Sequence, residues 1–336
     1  MLELKSFYFK DDILYILDQR KLPHEEVYFE AKNVEDVAYA IKAMLVRGAP
    51  AIGCVAAYGF YIGIKEGLDV EKVYDILSNT RPTAVNLFWA LKRMKQAYFE
   101  NKDLLEEAKN IEQEDIQANK RMSEFGASLI KEKSVVKEKS VVLTHCNTGA
   151  LATAGVGTAL GVIKELYKQG KIDYVLVDET RPYLQGSRLT AFELLKSNIP
   201  YKIIVDSSAP FLISRGIVKA VFVGADRIAS NGDTANKIGT FMLSLACKAY
   251  NIPFYVVAPT STIDFNAGSF KDIPIEERSK EEVLKCKDVF VGPIDSEAIN
   301  YSFDITPAQN ISAIITEKGI AYYPYVESLK SFKEQI

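Results

Sequence analysis

Polar side chains stand directly after short apolar runs in the second half of the sequence, and these runs are rich in β-branched residues. The four that could take part in chemistry are, in chain order, Cys146, Asp178, Asp206 and Asp226. In an open sheet of parallel strands, ligands bind just beyond the carboxyl ends of the strands. The pattern therefore predicts a site at one edge of a sheet, with a thiol and carboxyl groups along it.

Cys146 separates a predicted strand, Val141–Thr144, from a stretch of small residues that predicts the start of a helix. A thiol near a helix N-terminus lies at the positive end of the helix dipole, which can lower its pKa. A free cysteine can equally be a small buried apolar residue, and its position alone leaves both interpretations open. The preceding His145 should point to the opposite face of the strand, so we interpret it as structural.

Asp226 follows the strongly apolar segment KAVFVGA, residues 219–225. A carboxyl group among apolar neighbours tends to stay protonated, because burial disfavours its charged form. A neutral carboxylic acid can then serve as a general acid. An aspartate that only caps a turn fits the same sequence equally well.

A candidate phosphate site lies in the segment 230–250. Thr234 follows a turn signal and predicts a helix N-cap, which places Asn236 and Lys237 in the first turn of a helix over 236–250. Free backbone N–H groups and a lysine at a helix start bind anions well. A routine capped helix start is the alternative, although a lysine there opposes the helix dipole.

Two arginines of the first half of the chain, Arg47 and Arg81, stand at junctions between predicted elements. Gly48 suits the C-cap of a helix predicted from residue 34 onward, and Pro50 suits the first turn of the next helix. Each arginine could be an ordinary surface residue. Together they could supply the guanidinium groups of a phosphate clamp between two domains.

Three glycines, Gly155, Gly157 and Gly161, resemble a dinucleotide-binding fingerprint, with Asp178 at a suitable distance after them. That fingerprint needs its first glycine in the turn directly after the strand. Here Gly155 falls inside a helix predicted over 150–169. We therefore interpret these glycines as sites of close helix packing and expect no nicotinamide cofactor.

The order of the predicted elements indicates an α/β protein. Residues 4–31 predict a small antiparallel sheet, 34–131 predict helices alone, and 134–140 resemble a linker. Short strands then alternate with helices, which is typical of βαβ units in a parallel sheet. We expect an N-terminal domain of a small sheet and a helical bundle (1–133), followed by a Rossmann-like, doubly wound domain (134–336).

The composition excludes several classes of protein. The chain has 336 residues, a net charge of −3 and 48% hydrophobic residues, so neither nucleic acid nor an anionic membrane is an expected partner. No apolar run is long enough to span a bilayer. The four cysteines are widely spaced and there are only two histidines, so we expect a reducing cytoplasm and no metal centre.

Five segments resemble the methylthioribose-1-phosphate isomerase family, which belongs to the superfamily of the regulatory subunits of translation initiation factor 2B. They are RGAPAIG (47–53), RPTAVNL (81–87), THCNTGALAT (144–153), DETRPYLQGSRLTA (178–191) and GADRIASNGDTANKIGT (224–240). The resemblance runs from the first hairpin almost to the C-terminus. It implies a homodimer that works in methionine salvage without a metal or a cofactor.

The resemblance also implies roles for individual residues. Asp226 would be the proton donor, and Cys146 would be a base or a stabiliser of the transition state. The residues that would hold the sugar phosphate are Arg47, Gly48, Ala49, Arg81, Gln185, Asn236 and Lys237.

The implied reaction converts 5-methylthioribose 1-phosphate into the corresponding 1-phosphoketose. Hydrogen could move from C2 to C1 as a proton, through an enediol, or as a hydride, which is our hypothesis. Sister activities on 5-deoxyribose 1-phosphate or ribose 1,5-bisphosphate are alternatives. A non-catalytic regulatory subunit is a further alternative, against which the presence of both Cys146 and Asp226 argues.

Overall fold

The computed structural model describes residues 4–81, 84–130, 140–275, 277–287 and 289–333. The first part of the chain contains three strands and five helices. They are β1 (Phe7–Lys10), β2 (Ile13–Leu17), β3 (Tyr28–Ala31), α1 (Val34–Lys42), α2 (Ala49–Lys65), α3 (Val70–Ser78), α4 (Val85–Phe99) and α5 (Leu104–Ser128). The strands form an antiparallel sheet in the order β1-β2-β3, as predicted.

The start of α1 is also as predicted, because the Asn33 side chain accepts a hydrogen bond from the Asp36 N–H (2.8 Å) and so caps the helix. Its end is not. The helix stops at Lys42, and Met44 adopts a left-handed conformation (φ 61°). This break lets Leu45 and Val46 enter the core, where both are fully buried. Gly48 therefore does not cap α1 and instead stands before α2.

The second part of the chain contains the remaining strands and helices. They are β4 (Val141–Thr144), α6 (Ala159–Lys168), β5 (Tyr174–Asp178), α7 (Ala191–Lys196), β6 (Tyr201–Ile204), α8 (Ser208–Ser214), β7 (Val218–Val223), β8 (Arg227–Ala229), β9 (Thr234–Lys237), α9 (Thr240–Ala249), β10 (Phe254–Val257), β11 (Ile263–Asp264), α10 (Glu281–Leu284), β12 (Lys285–Cys286), β13 (Val289–Phe290), β14 (Phe303–Thr306), β15 (Ala313–Thr316), β16 (Gly319–Ala321) and α11 (Tyr325–Lys333). A π-helical turn, Gly186–Thr190, leads into α7.

Seven of these strands form the central sheet, in the order β16-β15-β10-β7-β4-β5-β6. All neighbouring pairs are parallel except β15 with β16. Alternate strand residues enter two apolar cores. One core lies against α8, α9 and α11 and the other against α5, α6 and α7, so both faces of the sheet are covered, as is usual for parallel strands. The prediction of a doubly wound α/β sheet is confirmed.

The helix predicted over 150–169 is wrong in its first half. Residues Ala150–Ala152 form one 3₁₀ turn, and α6 begins only at Ala159. The intervening loop lets Gly149 pair with Gly157 in an isolated β-bridge. Gly155 lies in this loop and packs against α5, where a Cβ would press on the Ile116 backbone.

The helix predicted over 236–250 also begins later than expected. Asn236 and Lys237 belong to β9, and α9 starts at Thr240 after Gly239, whose φ is 105°. β9 pairs with β14 in a four-stranded sheet of order β11-β8-β9-β14. All four residues of β9 are buried. Its sequence therefore lacks the alternation of apolar and polar residues that predicts a half-buried strand.

The two parts of the chain meet along α5. Its first half contributes Ala108 and Ile111 to the core of the helical bundle, and its second half contributes Ala118 and Met122 to the core above the central sheet. The predicted division at residue 133 lies outside the described residues. Among the helices that the structure describes, none is long and apolar enough to cross a membrane.

Candidate active site

The candidate site lies where the central sheet reverses its strand order. From β4 the chain proceeds outward through β5 and β6, and it then returns to the other side of β4 to form β7 and β10. In doubly wound sheets a crevice opens at this switch point, beyond the carboxyl ends of the two central strands. Cys146 follows β4 and Asp226 follows β7, so both lie in this crevice.

A cleft occupies the crevice, and the space in and just outside it that holds no protein atoms, open solvent included, is about 820 Å³. The nine residues to which the family resemblance gives a role all line it: Arg47, Gly48, Ala49, Arg81, Cys146, Gln185, Asp226, Asn236 and Lys237. Asp178 and Asp206, which the strand ends also suggested, do not line it. The loops after the strands form its floor. The N-terminal end of α2 and the residue Arg81 form a wall, so both parts of the chain contribute to one cleft.

The backbone of Cys146 is held in a left-handed conformation (φ 62°), which costs a non-glycine residue energy. Two threonines hold it there. The Cys146 N–H donates to Thr180 Oγ1 (2.8 Å) and the Thr190 hydroxyl donates to the Cys146 carbonyl (2.5 Å). The next regular helix starts thirteen residues later, at Ala159, so the expectation that Cys146 lies at a helix N-terminus is wrong.

The loop after Cys146 is anchored by Glu193, a residue that the sequence analysis did not single out. Its buried carboxylate accepts hydrogen bonds from Asn147 Nδ2 (2.9 Å) and from the Ala150 N–H (2.8 Å), and it also contacts Lys164 Nζ (3.2 Å). Gly149 packs directly on this carboxylate. The loop is therefore fixed by charge-assisted hydrogen bonds, and no sequence period pointed to Glu193.

The two candidate catalytic groups are both biased toward their neutral forms. Burial raises the pKa of the Cys146 thiol and Asp226 adds to this, whereas Lys237 and Arg47 oppose it. Burial likewise raises the pKa of the Asp226 carboxyl, against the effects of Lys237, Arg81 and Arg47. The prediction for Asp226 has the right direction. For Cys146, whose position left a lowered pKa and a buried apolar role both open, burial outweighs the nearby cations and raises the pKa.

Two of the cations lie over aromatic rings. Lys237 Nζ lies 4.4 Å from the centre of the Phe303 ring, and Arg47 Cζ lies 5.1 Å from that of Tyr183. Burial lowers the pKa of Lys237 and lowers that of Arg47 to about 10. Cation–π contacts hold these charges in place without neutralising them.

Gln185 orients Arg47. In the amide orientation that its neighbours require, the oxygen accepts a hydrogen bond from Arg47 Nη2 (2.7 Å), and the nitrogen donates to the Thr180 carbonyl (3.2 Å). Asn236 Nδ2 donates to Thr240 Oγ1 (3.0 Å). Each of these side chains is therefore positioned by a neighbouring loop or helix.

The predicted anion site at the start of α9 is already occupied by the protein itself. Asp304 accepts hydrogen bonds from the N–H groups of Gly239 (2.7 Å) and Phe241 (3.0 Å). The N-terminus of α2 is different, because Gly48 precedes it without a side-chain cap, its first turn carries no acidic residue, and it faces the cleft. The features expected of an anion site are therefore found at α2.

Arg278 lines the cleft and was missed by the sequence analysis. Its guanidinium lies over Tyr183, 5.2 Å from the ring centre, and forms an ion pair with Glu282 (2.8 Å). It belongs to a charged stretch, EERSKEE, which in sequence is typical of a solvated surface. Met44 and Phe303 also line the cleft, and neither stands in a recognisable pattern.

The sequence matches the model of the initiation factor 2 subunit family over residues 45–323. It is 61% identical to the methylthioribose-1-phosphate isomerase of Aquifex aeolicus (strain VF5), over 95% of this chain and 69% of that relative. It is 56% identical to that of Sulfurihydrogenibium sp. (strain YO3AOP1), over 98% of this chain and 97% of that relative.

Solved structures show the same relationship. The 5-methylthioribose 1-phosphate isomerase of Pyrococcus horikoshii OT3 is 42% identical, with a TM-score of 0.90 over 100% of this chain and 97% of that one. A structure described as translation initiation factor eIF-2B, subunit delta, from A. fulgidus is 40% identical, with a TM-score of 0.84 over 98% of this chain and 100% of that one.

The chain shares its fold with these solved structures, and it belongs to the initiation factor 2 subunit family. Within that family it groups with the methylthioribose-1-phosphate isomerases.

Proposed function

We propose that this chain is an aldose–ketose isomerase that converts 5-methylthioribose 1-phosphate into 5-methylthioribulose 1-phosphate, a step of methionine salvage. One observation carries the proposal. A single cleft brings together a carboxyl group with a raised pKa, a thiol with a raised pKa and the cations Lys237, Arg47 and Arg81. A sugar phosphate needs these cations for binding, and an isomerisation needs the two neutral groups.

The first chemical step is ring opening. The phosphoester blocks the anomeric oxygen, so the sugar cannot open to a free aldehyde as an unsubstituted aldose does. The ring oxygen must instead be protonated, and Asp226 is the group whose environment keeps it an acid. The bond between C1 and the ring oxygen then breaks, which leaves a cationic C1 stabilised by its phosphate oxygen.

Hydrogen then moves from C2 to C1. A hydride that migrates with its electron pair fills the vacancy at C1, while the C2 hydroxyl loses its proton and becomes the ketone. The carboxylate that ring opening leaves on Asp226 can accept that proton, whereas the neutral thiol of Cys146 cannot take up a second proton. The raised pKa of Cys146 disfavours a preformed thiolate base, so we assign hydride transfer, with the thiol close to the C2 hydroxyl.

The phosphate is proposed to bind at the N-terminus of α2. Its backbone N–H groups at Gly48 and Ala49 would donate hydrogen bonds to the phosphate oxygens, and Arg47 and Lys237 would supply the positive charge. A phosphate dianion there favours the protonated form of both Lys237 and Asp226. Substrate binding would therefore reinforce the acid that opens the ring.

We also propose that the chain acts in the cytoplasm as a homodimer. Exposed apolar side chains lie on α8 and α9, which pack against each other, and at the end of the edge strand β6. They are Ile203, Val205, Phe211, Phe241 and Leu245, which are 37% to 64% exposed. A face of this kind is typical of a protein–protein contact, and a second copy of the chain is the partner that the family implies.

The dimer is tested with Phe211→Glu, which places a charge on this face. Light scattering coupled to size-exclusion chromatography should show a dimer for the wild-type chain and a monomer for the variant. Phe99→Glu is the matched control, because Phe99 is 62% exposed on α4, in a different part of the molecule. A wild-type monomer, or a dimer in both variants, would contradict the proposal.

The function is tested by incubating the chain with 5-methylthioribose 1-phosphate, 5-deoxyribose 1-phosphate and ribose 1,5-bisphosphate, and detecting ketose by ¹³C NMR. We expect turnover of the methylthio sugar with the highest kcat/KM. In deuterated water the hydride route leaves C1 of the product free of solvent deuterium, whereas deuterium at C1 would indicate the enediol route. Turnover of none of the three would point to a non-catalytic binding role.

A further inference from the structure

His145 is fully buried directly before Cys146, and both of its ring nitrogens face polar atoms. Nδ1 lies 2.9 Å from Asp178 Oδ2, and Nε2 lies 2.8 Å from the carbonyl oxygen of Ile238. The mechanism above uses neither His145 nor Asp178. A buried pair of ionisable groups next to a catalytic residue therefore has no role yet.

The partners of the ring determine where its hydrogens lie. A backbone carbonyl can only accept, so Nε2 must carry a hydrogen and donate it to Ile238. Nδ1 and the Asp178 carboxyl share one further proton. On Nδ1 this proton makes the two groups an ion pair, and on the carboxyl it leaves both groups neutral. In both cases the Asp178 contact holds the ring in the tautomer that reaches Ile238, as second partners of histidines commonly do.

The surrounding charges favour this arrangement. Burial alone would lower the pKa of His145, but the hydrogen bond and charge of Asp178, with a smaller effect of Asp206, outweigh it and raise the pKa. Asp304, on β14, also interacts electrostatically with His145. Asp206 is itself held in place, because it accepts hydrogen bonds from the N–H groups of Thr180 (2.7 Å) and Arg181 (2.8 Å).

The ring joins two segments that carry groups of the cleft. On one side it belongs to the residue that precedes Cys146, and on the other it holds the carbonyl of Ile238, which follows Lys237. Gly239 makes this contact possible, because a Cβ at that position would press into the His145 ring, and its φ of 105° suits glycine. The segment after β9 therefore lies directly against the ring.

We infer that His145 is a positioning residue that ties the end of β9, with Lys237, to Cys146 through its hydrogen bond to Ile238, with Asp178 setting the tautomer. This inference rests on the proposed function, because its effect is exerted on the sugar-phosphate site. Loss of the bond to Ile238 lets Lys237 move relative to Cys146 and Asp226. The consequence is weaker substrate binding rather than loss of the acid.

Two isosteric variants separate the two hydrogen bonds of the ring. In His145→Gln the amide nitrogen takes the place of Nε2, so the variant keeps the hydrogen-bond donor to Ile238. In His145→Asn the amide nitrogen takes the place of Nδ1, so the variant keeps only the contact with Asp178. We expect H145N to raise the KM for 5-methylthioribose 1-phosphate at least tenfold with a smaller change in kcat. H145Q should restore KM to within about threefold of the wild type.

The second histidine of the chain, the exposed His24, provides the control variant His24→Gln. Equal KM values for H145N and H145Q, whether both normal or both raised, would overturn the inference. No turnover by the wild-type chain would count against the proposed function instead. If H145N does not fold, the ¹⁵N NMR measurement on the wild-type chain decides.

The protonation of the ring is read from ¹⁵N NMR of the wild-type chain, with H24Q identifying which signals belong to His145. We expect Nε2 of His145 to show the chemical shift of a protonated nitrogen throughout pH 6 to 8. An unprotonated Nε2 would overturn the inference, because the ring could then make no bond to Ile238.

Discussion

Asp226 and Lys237 lie in one cleft and act on each other's protonation. Burial shifts both toward neutrality, and each opposes the shift of the other. The balance leaves a carboxyl group that can donate a proton beside a lysine that can hold an anion. One residue thus serves chemistry and the other binding, and substitutions should separate the two.

Asp226→Asn keeps the shape of the side chain but removes its acidic proton. We expect kcat to fall by about 10²–10⁴-fold, the usual contribution of general acid catalysis, with KM nearly unchanged. Steady-state kinetics with the sugar phosphate measure both constants. Asp75→Asn on the exposed side of α3 is the matched control, and near-normal turnover of D226N would contradict the role of Asp226.

Lys237→Ala removes a cation of the cleft. Because the phosphate is bound in the ground state as well as in the transition state, its loss should raise KM by about tenfold to a hundredfold and lower kcat much less. Lys72→Ala, at an exposed position, is the control. An unchanged KM in K237A would remove Lys237 from the phosphate site.

The α2 helix presents its N-terminus to the cleft because Gly48 allows it to dock closely. Gly48 has a φ of 87°, and a Cβ there would overlap the backbone of Ala152 in the 3₁₀ turn after Cys146. The contact joins the helical bundle to the loop that carries the thiol. The position of this helix end therefore depends on a residue without a side chain.

Gly48→Ala should destabilise the chain by about 1–3 kcal/mol through its backbone conformation and more through the overlap with Ala152, and it should raise KM. Gly67→Ala is the matched control, because Gly67 has a similar φ of 82° and nothing within 4 Å of an added Cβ. Urea denaturation and steady-state kinetics measure the two effects. Equal losses of stability in the two variants would contradict the proposed docking.

Helix α5 joins the two parts of the molecule, because it packs in two apolar cores and also anchors the loop between the 3₁₀ turn and α6. Asp115 on α5 accepts a hydrogen bond from the Ala154 N–H (2.7 Å), and Asn119 accepts one from the Gly157 N–H (2.8 Å). Burial raises the pKa of Asp115 to about 7. Its protonation is therefore linked to the stability of the fold.

The sign of this linkage follows from the raised pKa. Below the pKa of the unfolded chain, about 3.9, Asp115 is protonated in both states and its contribution is fully present. As pH rises toward and through 7, the unfolded state is ionised and the folded state must give up a favoured proton, so stability is lost.

Asp115→Asn removes this dependence. The free energy of unfolding of D115N minus that of the wild type should increase between pH 5 and pH 7, by at most about 1.4 kcal/mol per pH unit. Urea denaturation of both proteins at each pH measures it, and other titrating groups cancel in the difference. A difference that stays constant with pH would contradict the raised pKa of Asp115.

The sequence predicted the sheet class and, together with the family resemblance, nine residues that line the cleft, but it did not predict Arg278, Met44 or Phe303. The β-branched runs and their polar ends are local features, and in a parallel sheet such ends must meet at one edge, so Cys146 and Asp226 could be paired before their distance was known. The family motifs added Ala49 and Gln185, which no local pattern distinguished.

Only the tertiary structure decided where α1 ends, where α6 and α9 begin and how the thiol is held. Leu45 and Val46 continue the apolar pattern of α1, yet they are buried by a left-handed turn at Met44. Lys237 lies on a fully buried strand, and the residue that pairs with it there, Phe303 of β14, is more than sixty residues away. Contacts between distant segments give Glu193, Arg278 and the His145–Asp178 pair their roles. The periodicity of a sequence indicates only on which side of its own helix or strand a residue lies, so it could not identify these contacts.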